Sequence, residues 1–116
     1  MVGDAKLRKY NNKKTLIDGF WFDSKKEANR YIELKMLQAA KLIRNLMTQQ
    51  VFELSPSVVI QGRKRPPLRY KADFTYFDDR QQGQFVVEDT KGFKTEGYKI
   101  KRHLMKAVHG IEILET

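Results

Sequence analysis

The residues best suited to chemistry in this sequence lie at the end of one apolar run, in Phe85-Val86-Val87-Glu88-Asp89-Thr90-Lys91-Gly92. The pattern indicates a buried strand that becomes polar at its tip and stops at a glycine. Because side chains alternate along a strand, we expect Asp89 and Lys91 to share one face and Glu88 to lie on the other. A carboxylate there could hold a hard cation, and an ammonium could orient water and offset charge on a phosphate. The same pair is also common at solvated strand ends.

A second candidate carboxylate, Asp73, lies in the middle of the predicted strand Leu68–Phe77. Asp is disfavoured within strands, and a central carboxylate costs stability unless it is paired, exposed or bound to a cation. The loop 78–83 predicts an antiparallel pairing with the strand that contains Asp89, which would bring the two carboxylates together. Alternation along Leu68–Phe77 predicts one apolar face made of Tyr70, Ala72, Phe74 and Tyr76.

A helix is predicted from Ser24 to about Leu42. Ser24 and Glu27 stand at the spacing of a capping box, in which the Glu side chain returns to the start of its own helix. Glu27 therefore has two interpretations, a helix cap, which the local pattern favours, and a member of the acidic site. The apolar residues at helical spacing, which we expect to face the core, are Ala28, Tyr31, Ile32, Met36, Ala39 and Ile43.

The remaining segments complete a mixed α/β (α+β) prediction. Asp18-Gly19 predicts a small hairpin over residues 15–22. An irregular strand is expected over residues 45–54, a second helix over 95–108, and a short final strand over 111–114. Residues 1–14 are predicted to be a flexible basic arm and residues 15–116 a single domain.

Composition narrows the class of protein. The chain has 116 residues, no cysteine and a formal net charge of +9. The absence of cysteine excludes disulfides and thiolate metal sites, and no apolar run predicts a membrane span. We therefore expect a cytoplasmic protein with a polyanionic partner. The candidate phosphate contacts are a basic loop, Ile60 to Pro67, and the second helix; they comprise Arg63, Lys64, Arg65, Lys94, Lys99, Lys101 and Arg102.

Three segments in this order, Lys25-Lys26-Glu27-Ala28, Tyr70-Lys71-Ala72-Asp73-Phe74 and Val87-Glu88-Asp89-Thr90-Lys91-Gly92, resemble the PD-(D/E)xK nuclease superfamily, and more closely its small phage and prophage endonucleases. The resemblance covers about residues 10–113. It implies a restriction endonuclease-like αβββαβ core, preceded here by the hairpin. One departure is Ala72, where the superfamily pattern has proline before Asp73.

The resemblance also implies roles for individual residues. Asp73, Asp89 and the Thr90 carbonyl would ligate Mg²⁺ or Mn²⁺, and Lys91 would orient the attacking water. Glu27 would complete the acidic cluster, directly or through water, and Gln49 matches a polar position in related sequences. Because its face is opposite to that of Lys91, Glu88 is expected to be structural or to support the metal-binding residues.

Two functions follow as expectations. The first is a Mg²⁺-dependent endodeoxyribonuclease, which in a phage-encoded protein would act in the bacterial host cytoplasm. Because small relatives of this fold include junction resolvases, its substrate could be branched or recombining phage DNA, and the two coordinated cuts of that reaction would imply a homodimer. The alternative is a basic nucleic-acid-binding module that keeps the fold without cleavage.

Overall fold

The structure, a computed structural model, describes residues 14–116. The predicted basic arm lies outside the described residues except for Lys14. The strands are β1 (Thr15–Ile17), β2 (Phe20–Phe22), β3 (Ile43–Ser55), β4 (Val58–Ile60), β5 (Arg63–Arg65), β6 (Leu68–Asp78), β7 (Gln84–Asp89) and β8 (Leu114–Glu115). The helices are α1 (Lys25–Ala39) and α2 (Glu96–His109), and a single 3-10 turn covers Asp79–Gln81.

A four-stranded mixed sheet in the order β3-β6-β7-β8 forms the centre of the molecule. The β3–β6 and β6–β7 pairs are antiparallel, whereas β7 and β8 are parallel and are connected through α2. Strands β1 and β2 form the predicted N-terminal hairpin. With the β4–β5 insertion set aside, the order of elements from α1 onward is αβββαβ, which confirms the predicted mixed α+β fold.

The two helices cover opposite faces of this sheet. Along β7, Val86 packs against the hydrophobic cluster that includes α1, and the next residue, Val87, belongs to the cluster that includes α2. Since neighbouring strand residues point to opposite faces, the clusters lie on either side of the sheet. The first contains Phe22, Ala28, Tyr31, Leu34, Ile43, Phe74 and Tyr76, and the second Leu54, Tyr70, Ala72, Val87, Tyr98 and Met105.

Helix α1 begins as predicted but presents a different face. The Ser24 hydroxyl accepts the backbone N–H of Glu27 at 3.1 Å, and the helix ends at Ala39 rather than near Leu42. Leu34 is fully buried, whereas Ile32 and Met36 are 43% and 66% exposed and Ala39 is also exposed, so these three predicted core positions are wrong. Among residues 14–116, no helix is long and apolar enough to cross a membrane.

Within β3 and β6, the side of the sheet to which alternate side chains point changes part-way along the strand. Ala72 lies in the α2 cluster, yet Phe74, two residues on, lies in the α1 cluster. The single apolar face predicted for Tyr70 to Tyr76 is therefore wrong, although all four side chains are buried. On β3, Gln49 has a left-handed backbone (φ 58°), and the pairing register is the same before and after it. This change of direction falls at Asp73, between Ala72 and Phe74.

The segment Ile60 to Pro67, predicted as a basic loop, contains part of a second hairpin instead. Strands β4 and β5 pair antiparallel with Val58 opposite Arg65 and Ile60 opposite Arg63. Gln61 and Gly62 between them have φ values of 51° and 76°. A two-residue turn with both residues left-handed matches the right-handed twist of a hairpin, which explains the structure of this segment.

Candidate metal centre

Asp73 and Asp89 lie across from each other on neighbouring strands. In the β6–β7 pairing Phe74 is opposite Glu88, and extending that register by one position sets Asp73 opposite Asp89. The backbone N–H of Thr90 donates to Asp73 Oδ2 at 2.8 Å, which fixes the Asp73 carboxylate against the end of β7. The hairpin thus brings together two carboxylates that are 16 residues apart in the sequence.

The Asp89 carboxylate is 2% exposed and incompletely satisfied. Its Oδ2 accepts a 2.5 Å hydrogen bond from the Tyr70 hydroxyl. Its Oδ1 is buried and has no hydrogen-bond partner among residues 14–116, although Lys91 Nζ lies 3.2 Å away as a salt-bridge partner. A buried carboxylate oxygen without a hydrogen bond is costly, so a cation could bind at this atom in addition to the Lys91 ammonium.

Lys91 is held beside Asp89 by its surroundings. Its Nζ also lies 4.5 Å from the centroid of the Tyr98 ring, a cation–π arrangement. Its backbone N–H donates to the Thr116 carbonyl at 3.2 Å, which ties the residue to the end of the chain after β8. The ammonium is thereby placed next to the carboxylates, on the face of the strand that alternation predicted.

The Glu27 side chain turns toward the sheet. Only its backbone N–H takes part in the cap at Ser24, while its carboxylate accepts from Gln49 Nε2 at 3.3 Å. Glu27 is 7% exposed, and burial, followed by repulsion from Asp23 and Asp89, raises its pKa to about 7. Its backbone N–H therefore donates to the Ser24 cap, and its side chain belongs to the acidic group.

The carboxylates of this group repel one another. Burial, and then the charge of Asp89, raise the pKa of Asp73 to about 8, even though the Thr90 N–H favours the ionised form. Neighbouring carboxylates that lack sufficient positive charge retain protons. Around neutral pH the cluster therefore has a deficit of positive charge that a divalent cation would correct.

The donor set fits a hard divalent cation. Asp73 and Asp89 supply oxygens, the Thr90 carbonyl is a further candidate, and the chain has no cysteine thiolate, which favours Mg²⁺ or Mn²⁺. Within residues 14–116, no three His, Cys, Asp or Glu side chains converge closely enough to hold a metal ion together. Glu27, directly or through water, would complete the coordination.

Glu88 belongs to a separate buried network on the α1 face. Its carboxylate accepts from Arg30 Nε at 2.5 Å and Arg30 Nη2 at 3.0 Å, from the Tyr76 hydroxyl at 2.7 Å and from the Thr116 hydroxyl at 3.0 Å. The side chain is fully buried, and both of its carboxylate oxygens accept hydrogen bonds from these partners. This agrees with the structural role expected from its face.

Sequence reasoning missed the two tyrosines that hold the site. The sequence pattern places Tyr70 only on an apolar face of its strand, and it places Tyr98 only among the apolar positions of the predicted second helix. Both are buried, and their hydroxyls donate to Asp89 and Glu115 respectively. A signal did exist, because a buried tyrosine hydroxyl requires a hydrogen-bond partner.

An open cleft of about 320 Å³ leads to the carboxylates and is lined in part by Lys71, Lys91 and Lys101. The other predicted phosphate contacts of this region have acidic partners. Lys94 and Arg102 lie 3.8 Å and 2.9 Å from Glu115, and Lys99 lies 3.6 Å from Glu96. Lys71 and Lys101 are thus the cations nearest the cleft after Lys91.

Comparison with known proteins gives a family. Residues 7–111 match the family described as "Protein of unknown function (DUF1064)". The chain belongs to this family. No curated protein and no solved structure matched the chain.

Proposed function

We propose that this chain is a metal-dependent endonuclease that hydrolyses DNA phosphodiester bonds at the Asp73–Asp89–Lys91 site. The observation that carries the proposal is the buried Asp89 Oδ1, which has no hydrogen bond from any residue of the described range 14–116 and lies 3.2 Å from Lys91 Nζ. A carboxylate used only for structure would be satisfied in the way that Glu88 is. The net charge of +9 favours a polyanionic substrate.

Each residue has a distinct task in this proposal. Asp73 and Asp89 would hold the cation, with the Thr90 carbonyl, and the cation would act as a Lewis acid at the phosphate. Lys91 would orient the attacking water and offset the charge that develops on the phosphoryl oxygens. Tyr70 and Thr90 would fix the two carboxylates, through the hydrogen bonds they donate, in the orientation that binding requires.

The test is a cleavage assay on linear duplex, single-stranded and four-way-junction DNA, with Mg²⁺, Mn²⁺ or chelator. We expect metal-dependent cleavage that Asp89→Asn abolishes. Asp79→Asn is the matched control, because Asp79 is an exposed acid paired with Arg44 at the far end of the β6–β7 hairpin. Preferred cutting of the junction, together with a dimer by light scattering, would support the junction-resolving form.

Two results would overturn the proposal. If the chain binds DNA but cuts none of these substrates with either metal, it is a nucleic-acid-binding module. If Asp89→Asn cuts as well as the parent, the carboxylates are not the site.

A further inference from the structure

The β4–β5 hairpin continues the central sheet as a single two-stranded ribbon. The last β3–β6 pair is Ser55 with Leu68, and the first β4–β5 pair is Val58 with Arg65. Both pairs have the same register, so the chain crosses the short interruption, which contains three prolines, without a slip. The ribbon therefore runs outward from the site along β6 and β5.

This ribbon has no partner within the described protein. Every residue from Val58 to Arg65 is exposed, including Val59 at 70%. Its two strands contact each other extensively, and no other helix or strand of residues 14–116 packs against them to a similar extent. A hairpin without a core is marginally stable in water, which indicates that a partner completes it.

Its charge identifies the chemistry of that partner. Between Ser55 and Ala72 the chain carries five Lys or Arg residues and no Asp or Glu. Arg63, Lys64 and Arg65 form no ion pair within residues 14–116, in contrast to Lys94, Lys99 and Arg102 on α2. A ribbon with this unneutralised charge complements a polyanion.

We propose that the β4–β5 ribbon lies in a groove of double-stranded DNA, so that duplex DNA is the substrate class of the site. This rests on the proposed nuclease function. The major groove of B-DNA, about 12 Å wide, admits a two-stranded ribbon. In the ribbon register Arg63 and Arg65 sit opposite Ile60 and Val58. Cations can then reach the phosphates while the apolar side chains contact sugars and base edges.

The length of the ribbon fixes where the duplex must extend. Arg63 is ten residues from Asp73 along the chain, which is at most about 33 Å at roughly 3.3 Å per strand residue. One turn of B-DNA spans about 34–36 Å. The ribbon would thus contact the duplex within about one turn of the cleaved phosphate.

The test measures binding separately from cleavage. Fluorescence anisotropy in EDTA compares a 24-base-pair duplex with a 24-nucleotide single strand, using the parent, Arg63→Ala/Arg65→Ala, and the charge-matched control Lys35→Ala/Lys41→Ala. Lys35 and Lys41 are exposed and lie at the opposite end of α1 from Glu27. We expect the arginine variant to lose about tenfold or more in duplex affinity. Its slope of log affinity against log salt should fall by roughly 1.8, since each lost phosphate contact contributes about 0.9. The control should change little.

A second variant guards against a folding effect. Replacing residues 57–66 with Gly-Gly removes the ribbon, and far-UV circular dichroism and thermal melting establish that the rest remains folded. This variant should lose duplex affinity and retain single-strand affinity. If the arginine and lysine variants weaken DNA binding equally, the ribbon is not a DNA-binding element. The same conclusion follows if the arginine variant or the 57–66 replacement changes the oligomeric state of the protein and not its DNA affinity. If the binding results are as expected but the protein cleaves no DNA, the proposed nuclease function is wrong and the DNA-binding role of the ribbon stands.

Discussion

At the level of single residues, Lys91 separates catalysis from binding. The chain has 23 Lys and Arg residues, so one lysine contributes little to overall attraction for DNA. Its Nζ is nevertheless fixed between Asp89 Oδ1 and the Tyr98 ring. A charge held in this way stabilises a transition state more than it does a bound ground state.

We therefore expect Lys91→Ala to keep DNA affinity while cleavage falls by roughly 10²–10³-fold. Gel-shift and nicking assays on one preparation measure the two quantities. Lys101→Ala is the matched control, because Lys101 lines the same cleft. Parallel loss of affinity and cleavage in Lys91→Ala would make Lys91 a phosphate contact and not a catalytic residue.

Asp73 should lower the stability of the metal-free protein at high pH. Its pKa is raised to about 8, so between about pH 4 and pH 8 the folded state retains a proton that the unfolded chain has lost. The free energy of unfolding therefore falls as pH rises through this range. Asn can still accept the Thr90 N–H but cannot ionise, so Asp73→Asn should stabilise the protein by about 1–2 kcal/mol at pH 8.5 and less at pH 5.

Urea denaturation in EDTA at the two pH values measures this difference. Asp79→Asn, at an exposed position, should show no such pH dependence. A less stable Asp73→Asn at pH 8.5 would mean that the carboxylate is already compensated in the folded protein.

The residue types at the site were predictable, and their hydrogen bonds were not. The position of Asp73 within a strand and the sequence Asp89-Thr90-Lys91 at a strand end indicated carboxylates on paired strands. The local pattern favoured the Glu27 side chain as a helix cap. The sequence does not specify that only the backbone N–H of Glu27 bonds to Ser24 and that its carboxylate points toward the sheet. The Gln49 that contacts Glu27 has a left-handed backbone, and glutamine is not a residue that signals one.

At the level of elements, the Arg30–Glu88 pair joins α1 to β7. Glu88 is fully buried, whereas the Arg30 side chain is 22% exposed and also contacts Glu33, which is 63% exposed. Removing one partner of a buried pair leaves its polar neighbours unsatisfied. Arg30 thus forms one buried ion pair, with Glu88, and one surface ion pair, with Glu33, and their contributions to stability can be compared.

Glu88→Ala should lower the free energy of unfolding by about 3–4 kcal/mol, because Arg30, Tyr76 and Thr116 lose their common acceptor. Glu33→Ala should cost about 0.5 kcal/mol or less, as surface pairs do. Chemical denaturation measures both values. Similar small effects in the two variants would show that the network reorganises around water.

Elements with a clear local signal were predicted well. Asp18-Gly19 marked the first hairpin, and Ser24 marked the start of α1. The second hairpin was missed because Gln61-Gly62 is a weaker turn signal and its strands have no alternating pattern. The buried face of α1 was partly wrong because packing against the first hairpin and the sheet, through Phe22, Tyr31 and Phe74, decides which residues are covered.

At the level of the whole molecule, binding of the proposed cation should release protons. The raised pKa values of Glu27 and Asp73, about 7 and 8, mean that both side chains largely hold protons at pH 6. A metal ligand must be ionised, so the apparent affinity for Mn²⁺ should rise with pH until about pH 8. For one displaced proton the change approaches tenfold per pH unit.

Calorimetric titration with Mn²⁺ in two buffers of different ionisation enthalpy gives the number of protons released. We expect about one at pH 6 and fewer at pH 9. Asp89→Asn should bind the metal weakly at both values. Binding without proton release at pH 6 would place the ion away from these carboxylates.

The reversal of the sheet at Gln49 and Asp73 has a consequence for motion. The two apolar clusters lie on opposite faces of the sheet, and β6 passes from one cluster to the other at Asp73, beside the carboxylate group. Regions with separate cores open as separate cooperative units, and amide hydrogen exchange resolves such units. Amides beside Leu34 and Phe74 should exchange with one free energy of opening, and those beside Leu54 and Met105 with another. A divalent ion bound between the two clusters would couple their opening and bring the two free energies of opening together. The proposed catalytic centre would then also stabilise the contact between the two halves of the interior.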